Sequence, residues 1–378
     1  MSPSKGRGGA RREGKFLYPL VGAVTGLLIF LALYLAMPSS ASDTGSAVSA
    51  ARPAQVQAPT LSVVAGDGSV RVSWAMLADV HAPRYLAEAV PDNMALPRSS
   101  CVTTGLSCVI SGLTDGVTYT VRVDATDAVG AVTPSAWAQA TPYPAILTSS
   151  SSMLWLNADD IPAAAGTQVL FWPDESGQNN NATQSQPAHR PVLSALGSHK
   201  AVQFSGKQNL LVDGERLPSG ATPSVIFAVA QLDDPNAATD CFEHLLAWGV
   251  GAAGEARMIY KGCATTLAYA ETYNTYSLMH PRYTWPQAQP VLVTAEITGS
   301  GISVWLDGSF DYSWKNPQGV VTDTHLQKAA MIGGAPWWGD SDGWVGEIGE
   351  IGILSGNVSA EQINAVDEYL LRKWDIQA

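Results

Sequence analysis

The clearest pattern along the chain is alternation with a period of two. Val70, Val72 and Trp74 alternate with Arg71 and Ser73, and Tyr119, Val121, Val123 and Ala125 alternate with more polar neighbours. Such alternation sends one set of side chains to a core and the other to water, so both stretches read as half-buried strands. Beyond residue 150 strand-like stretches recur at 153–156, 168–172, 201–204, 224–231, 243–248, 257–260, 291–297, 301–306 and 344–354. Thr298-Gly299-Ser300-Gly301 turns one apolar face (Val291, Val293, Ala295, Ile297) into another (Ile302, Val304, Leu306). So many short strands with almost no helix predict packed antiparallel sheets, and the fold class is all-β. One helical pattern closes the chain. Ser359 with Gln362 three residues on forms a capping box, and Ile363, Val366, Leu370 and Trp374 follow at helical spacing. That short C-terminal helix is expected to lie on a sheet.

Residues 16–37 form a second kind of pattern, 22 positions without a charge. At ~1.5 Å per residue they span about 30 Å of hydrocarbon. Tyr18 and Tyr34 stand near the ends, and Lys5, Arg7, Arg11, Arg12 and Lys15 all precede the run. The reading is a basic cytoplasmic tail (1–15), an N-terminal transmembrane helix acting as signal-anchor (16–37), and periplasmic or extracellular domains beyond it. A cleaved signal peptide ending near Ser39-Ser40-Ala41 is the alternative. Arg11-Arg12 matches a twin-arginine signal only in part, because Gly14 and Lys15 intervene. A type IV prepilin leader cut after Gly14 departs from that family's pattern, with Lys15 after the glycine and Pro19 where glutamate is expected. Residues 38–58 are rich in Ser, Ala and Pro and read as a flexible linker.

Charge sharpens this division. The net charge is −12, yet residues 1–50 carry five Lys/Arg against two Asp/Glu, while residues 150–378 carry 11 against 24. An acidic body repels phosphate backbones, so nucleic acid is excluded as a partner. Four cysteines complete the composition. Cys101 and Cys108 flank a midpoint at Thr104-Gly105, and Cys241 and Cys263 flank Ala252. A hairpin turning at each midpoint would set the sulfurs opposite each other. In an exported chain the disulfides Cys101–Cys108 and Cys241–Cys263 are expected.

Two stretches resemble known families. Trp74, Tyr85 and the run Gly112-Leu113-Thr114-Asp115-Gly116-Val117-Thr118-Tyr119 resemble a fibronectin type III domain, an Ig-like sandwich, over residues 59–142. The resemblance implies a tyrosine-corner role for Tyr119 and a spacer role for the domain. After a linker at 143–152, three places resemble concanavalin A-like, LamG-like jelly rolls. They are Leu154-Trp155-Leu156-Asn157-Ala158-Asp159, Trp172-Pro173-Asp174-Glu175-Ser176-Gly177, and Ile332-Gly333-Gly334 leading to Gly346-Glu347-Ile348-Gly349-Glu350-Ile351. The resemblance implies a jelly-roll domain over 153–378. That family includes lectins, adhesion modules and glycoside hydrolases, so the fold does not fix the function.

Candidate chemistry concentrates at 331–354. Hydrolases of this fold class need carboxylates about 5–5.5 Å apart on one strand face. Glu347 and Glu350 are three positions apart, which on a regular strand sends them to opposite faces. Only a bulge would bring them together. A hydrolase is therefore disfavoured and no catalytic residue is assigned. The six histidines (His81, His189, His199, His244, His280, His325) are scattered and match no nucleophile motif. Asp340 and Asp342 are oxygen donors of the kind calcium takes, without EF-hand spacing, and no other cofactor is implied. Trp337 and Trp338, beside those aspartates, are expected as an exposed stacking platform, with Tyr283 and Trp285 as a second aromatic segment. Trp344 is expected in the core. The reading is a membrane-anchored recognition or adhesion protein that binds glycans or a surface protein. The alternatives are a glycan hydrolase of the same fold and a structural or pilus-associated envelope subunit.

Overall fold

The computed structural model describes residues 60–75, 84–236, 241–262, 268–271, 285–315, 323–339 and 342–377. The chain divides into two compact units, Met1–Ala54 and Gln55–Ala378, and everything below concerns the second. The expected membrane span at 16–37 and the linker at 38–58 lie outside the described residues. Among the described residues no helix is long and apolar enough to cross a membrane.

The first half of this unit is a small sandwich of eight strands: β1 (Leu61–Gly66), β2 (Ser69–Trp74), β3 (Arg84–Pro91), β4 (Ser99–Thr103), β5 (Ser107–Ser111), β6 (Tyr119–Thr126), β7 (Val132–Pro134) and β8 (Ala138–Ala140). One sheet has the order β1-β2-β5; the other is β4-β3-β6-β7, with β8 also on β6. The alternating residues meet between them: Val70, Val72 and Trp74 from one sheet, Tyr85, Ala87, Tyr119, Val121 and Val123 from the other. The Tyr119 hydroxyl accepts a hydrogen bond from the Thr114 N–H at 3.0 Å. The Cys101–Cys108 disulfide is present, but not across a hairpin. Cys101 pairs with Ala87 in one sheet and Cys108 with Val72 in the other, so the bond staples the two sheets together. Cys241 is also disulfide-bonded, and Cys263 lies outside the described residues.

The second half is a jelly-roll β-sandwich. Its strands are β9 (Ser152–Asn157), β10 (Phe171–Trp172), β11 (Ala182–Thr183), β12 (Val192–Leu196), β13 (His199–Ser205), β14 (Leu210–Asp213), β15 (Ser224–Leu232) and β16 (Glu243–Gly249). They continue with β17 (Ala256–Lys261), β18 (Ala268–Glu271), β19 (Pro290–Ile297), β20 (Gly301–Leu306), β21 (Ser309–Lys315), β22 (Ala329–Ile332) and β23 (Val345–Ser355), and α1 (Ala360–Lys373) closes the chain. One sheet has the order β10-β11-β14-β22-β16-β17-β18. The other is β12-β13-β23-β15-β19-β20-β21, with β9 also on β23. Ile226, Ala228, Ala230, Ile348, Ile351 and Ile353 of the larger sheet face Leu210, Leu246, Trp248, Ile259 and Ile332 of the smaller one across the core.

Strand parity on β23 departs from the sequence expectation. Glu350 pairs with Val229 and Ile348 with Ala230, so Gly349 is an extra residue and the register shifts by one. Glu347 pairs with Gln231, which lies on the same face of β15 as Val229. Both glutamates therefore project from one face, the outer one. The bulge falls at a glycine for a steric reason: a Cβ on Gly349 would lie 2.3 Å from the Trp374 indole.

Helix α1 covers that outer face. Ile363, Val366, Leu370 and Trp374 pack on Val225, Phe227, Val229 and Leu292, and the Ser359–Gln362 capping box is formed. Beneath the helix lies Glu350, fully buried. Its Oε1 accepts from Trp155 Nε1 at 2.7 Å and Tyr369 Oη at 3.0 Å, and its Oε2 from Lys373 Nζ at 2.7 Å and Trp374 Nε1 at 3.1 Å. Lys373 also donates to Asn157 Oδ1 at 2.8 Å. A desolvated carboxylate is tolerated only with this degree of pairing. Tyr369 and Lys373, which the helical periodicity leaves unassigned, are thus buried by their polar ends.

Asp367 is the less satisfied acid of the same helix. Its Oδ1 accepts from Thr294 Oγ1 at 2.6 Å, Oδ2 has no partner, and burial pushes its carboxyl up to about 6. A folded pKa above the unfolded value gives stability that is complete below about pH 4 and lost as the pH rises through 6. Asp367→Asn keeps the hydrogen bond and removes the charge. Thermal unfolding from pH 4 to 8 is expected to show the variant gaining on the wild type as the pH rises, by about 1–2 kcal/mol at neutral pH.

Candidate functional site

The tryptophan loop roofs the smaller sheet. One cross-strand row, Phe171, Thr183, Leu211, Met331, Ala247 and Met258, forms that sheet's outer face. Trp337 and Trp338 cover the Ala247 end of this row together with Tyr260 and Ala335, and both are half-buried, not an open platform. Their rings are 6.0 Å apart. Trp338 lies 4.9 Å from the His244 ring, which stacks on Tyr260 at 4.8 Å. Phe242, at positive φ and 42% exposed, forms the outer rim. A loop rich in Gly and Asp signals exposure, yet here Gly251 lets the chain pass directly against the Trp337 ring.

The other expected ligand residues do not converge with this pair. Trp285 is 1% exposed and packs edge-on against Trp344 at 5.1 Å, inside the main core. It is a core residue, and aromatic composition alone did not distinguish an inner from an outer ring. Tyr283 and Asp340 lie outside the described residues. Asp342 turns at positive φ, and its carbonyl accepts from both His244 N and Nδ1 at 3.1 Å. Burial raises the Asp342 carboxyl above its ordinary range. Among the described residues no three His, Cys, Asp or Glu side chains come together as a metal cluster.

The two glutamates share a face, so the spacing objection to a carboxylate pair falls. Glu350 nonetheless has both oxygens occupied by four donors under α1. Glu347 is different: burial, and then the neighbouring Asp233 carboxyl, push it up to about 8. Gln203 Nε2 donates to its Oε1 at 3.0 Å.

Among the described residues there is also a concavity that the sequence did not reveal. A cleft of about 620 Å³ opens between the small sandwich and the jelly roll. Val63, Thr118, Gln139 and Thr141 form one wall; Asn157, Asp159, Asp160, Glu175 and His199 form the other, with the Tyr143 ring between them. Tyr143 packs edge-on against Trp155 at 4.8 Å. Trp155, Tyr369 and Lys373, the donors to Glu350, also line the cleft. A second recess of about 590 Å³ shares Asp92, Thr118, Ser198, His199 and Lys373 with it. The walls are held by a close contact at Gly116, where a Cβ would meet the Tyr369 carbonyl oxygen at 2.3 Å, and by Arg372 Nη1 donating to the Asp115 carbonyl at 3.3 Å.

The carboxyls of the cleft are driven apart electrostatically. Burial works to raise Asp159, but the His199 hydrogen bond at 2.8 Å, the Lys373 charge and the Lys200 N–H prevail and hold it at about 2. Burial raises Asp160 against the pull of Lys373. Burial and then Asp160 raise Glu175; burial and then Glu175 raise the Tyr143 phenol. An ionised acceptor thus sits beside carboxyls that more readily keep a proton, a contrast typical of functional sites.

No family model matches the chain, and no curated protein matches it either. Among solved structures the chain is similar to domain 4 of AbnA, a GH43 extracellular arabinanase from Geobacillus stearothermophilus in complex with arabinotriose. The identity is 15% and the TM-score 0.41, over 58% of this chain and 98% of that one. It is also similar to the CBM40 of a Ruminococcus gnavus IT-sialidase bound to sialyllactose (14%, TM-score 0.35, 44% and 96%). Trypanosoma rangeli sialidase is a third likeness (9%, TM-score 0.43, 84% and 54%). These are carbohydrate-binding or glycan-active proteins; at such scores the likeness says nothing of what this chain binds.

His244 reports on the roof. Burial depresses its imidazole to about 4, with Nδ1–H given to the Asp342 carbonyl. Removing the lid in Trp338→Ala is expected to return it toward about 6.5. An NMR titration checks this: the His244 resonance stays flat between pH 5 and 8 in the wild type and titrates in the variant.

Proposed function

We propose that this chain is an exported recognition protein that holds a carbohydrate in the cleft between its two sandwiches. The observation that carries the reading is the cleft itself, where one aromatic face, Tyr143, stands among converging hydroxyl, amide and carboxyl groups. Sugars are bound in this way, with a ring face on an aromatic side chain and hydroxyls on polar ones. The carboxyls Asp92, Asp159, Asp160 and Glu175 favour neutral or amine-bearing glycans and disfavour sulfated or sialylated ones. In this reading the small sandwich, of the fibronectin type III kind, is more than a spacer, because it supplies a wall. The LamG-like jelly roll supplies the other, and residues 16–37 tether the molecule to the membrane with its C-terminal domains outside the cytoplasm. Adhesion to a glycan-bearing surface is the process that such a layout serves.

A second reading has a specific observation behind it. Asp160 and Glu175 line the cleft with carboxyls raised by burial, as a general acid requires, so glycan hydrolysis is the competing activity.

Glycan-array screening of the full chain in detergent, followed by calorimetry on the best hit, tests both. Tyr143→Ala and Asp160→Asn are expected to weaken binding at least about tenfold. Trp337→Ala and Trp338→Ala leave it unchanged. Loss of binding in the tryptophan variants alone moves the site to the roof, and no hit on a broad array contradicts the glycan reading. Reducing-sugar release that disappears in Asp160→Asn establishes the hydrolase.

A further inference from the structure

Three adjacent strands of the larger sheet bring two carboxyls and two carboxamides together outside the cleft. Glu347 on β23 lies between Gln203 on β13 and Gln231 on β15, all on the outer face. Asp233 follows just beyond β15, its N–H held by the Val345 carbonyl at 3.0 Å. Its carboxyl is within hydrogen-bonding reach of that of Glu347. Glu347 is 6% exposed, and its Oε2 has no hydrogen-bond partner. Gln203 Nε2 reaches Glu347 Oε1 at 3.0 Å, and Gln231 Nε2 reaches Asp233 Oδ2 at 3.1 Å and Oδ1 at 3.3 Å.

Two carboxylates at such range repel unless a positive charge lies between them. None of the ion pairs among the described residues involves Glu347 or Asp233. The compensating charge is then either a proton kept by Glu347, whose carboxyl is pushed up to about 8, or a cation from solution. Turning a carboxamide by 180° exchanges its nitrogen for its oxygen, so Gln203 and Gln231 can each present a carbonyl in place of an amine. The four side chains then offer up to about six oxygens and no nitrogen or sulfur, the donor set of a hard divalent cation. Gln203 is exposed and Gln231 and Asp233 half-exposed, so an ion reaches the group from solvent.

We propose that Glu347, Asp233, Gln203 and Gln231 form a divalent-cation site that prefers calcium, pinning β13, β23 and β15 together. This site uses neither Asp340 nor Asp342 as a ligand and does not depend on the cleft reading.

The test is thermal unfolding of the full chain in detergent, stripped with chelator and then given calcium or magnesium at about 10 mM, well above the dissociation constants of extracellular calcium modules. Calcium is expected to raise the midpoint by about 2 °C or more, and magnesium by less. Asp233→Asn and Glu347→Gln abolish the calcium shift. Asp233 is half-exposed, so Asp233→Asn remains informative if Glu347→Gln fails to fold. No shift in the wild type overturns the proposal and leaves a shared proton as the counter-charge. A shift that persists in Asp233→Asn also overturns it, placing the ion elsewhere.

Discussion

The rest of the structure depends on one desolvated carboxylate. Glu350 is fully buried beneath α1 and accepts from four donors that come from β9 and from the end of the helix. The apolar stripe of α1 decides that the helix packs on the sheet; the carboxylate decides where along the sheet it stops. Through Lys373 the same centre reaches Asn157 and Asp159, and through Tyr369 it meets the small sandwich at Gly116. The floor of the cleft and its alignment with the small sandwich follow from that one buried charge. Removing a single partner strands the others in low dielectric, so such a centre fails as a unit.

How much of this was legible in the sequence depends on the range of the cause. Alternation found the long strands because burial of one face is a local signal, and the capping box and apolar spacing found α1. The two-residue strand β11 is too short to show a period, β10 is only the end of the stretch expected at 168–172, and β12 and β14 mix inward and outward apolar side chains. Parity failed between Glu347 and Glu350 because the bulge at Gly349 answers to the Trp374 ring, a contact made far along the chain. The cysteine midpoint predicted the right bond across the wrong geometry, since spacing does not say whether two strands stay in one sheet.

The candidate site was the least legible part. Trp337 and Trp338 stood out by composition, yet they turn inward to cover Tyr260 and Met258, and Trp285 belongs to the core. The residues of the cleft came from the small sandwich, the inter-domain segment, the start of the jelly roll and the last turn of α1. No short motif joins them, and the Leu154–Asp159 motif that marks the fold gave no hint that its final residues face a cavity. A cleft assembled between two sandwiches is visible only once their contact is known.

The central claim, that the Glu350 centre holds helix, sheet and cleft together, is tested most directly by a double-mutant cycle. Urea unfolding of Glu350→Gln, Lys373→Met and the double variant gives the coupling. The expected result is a loss of about 3 kcal/mol or more in Glu350→Gln and a coupling of at least about 1 kcal/mol. Losses that add within about 0.5 kcal/mol would contradict it, showing that the two groups stabilise the fold independently.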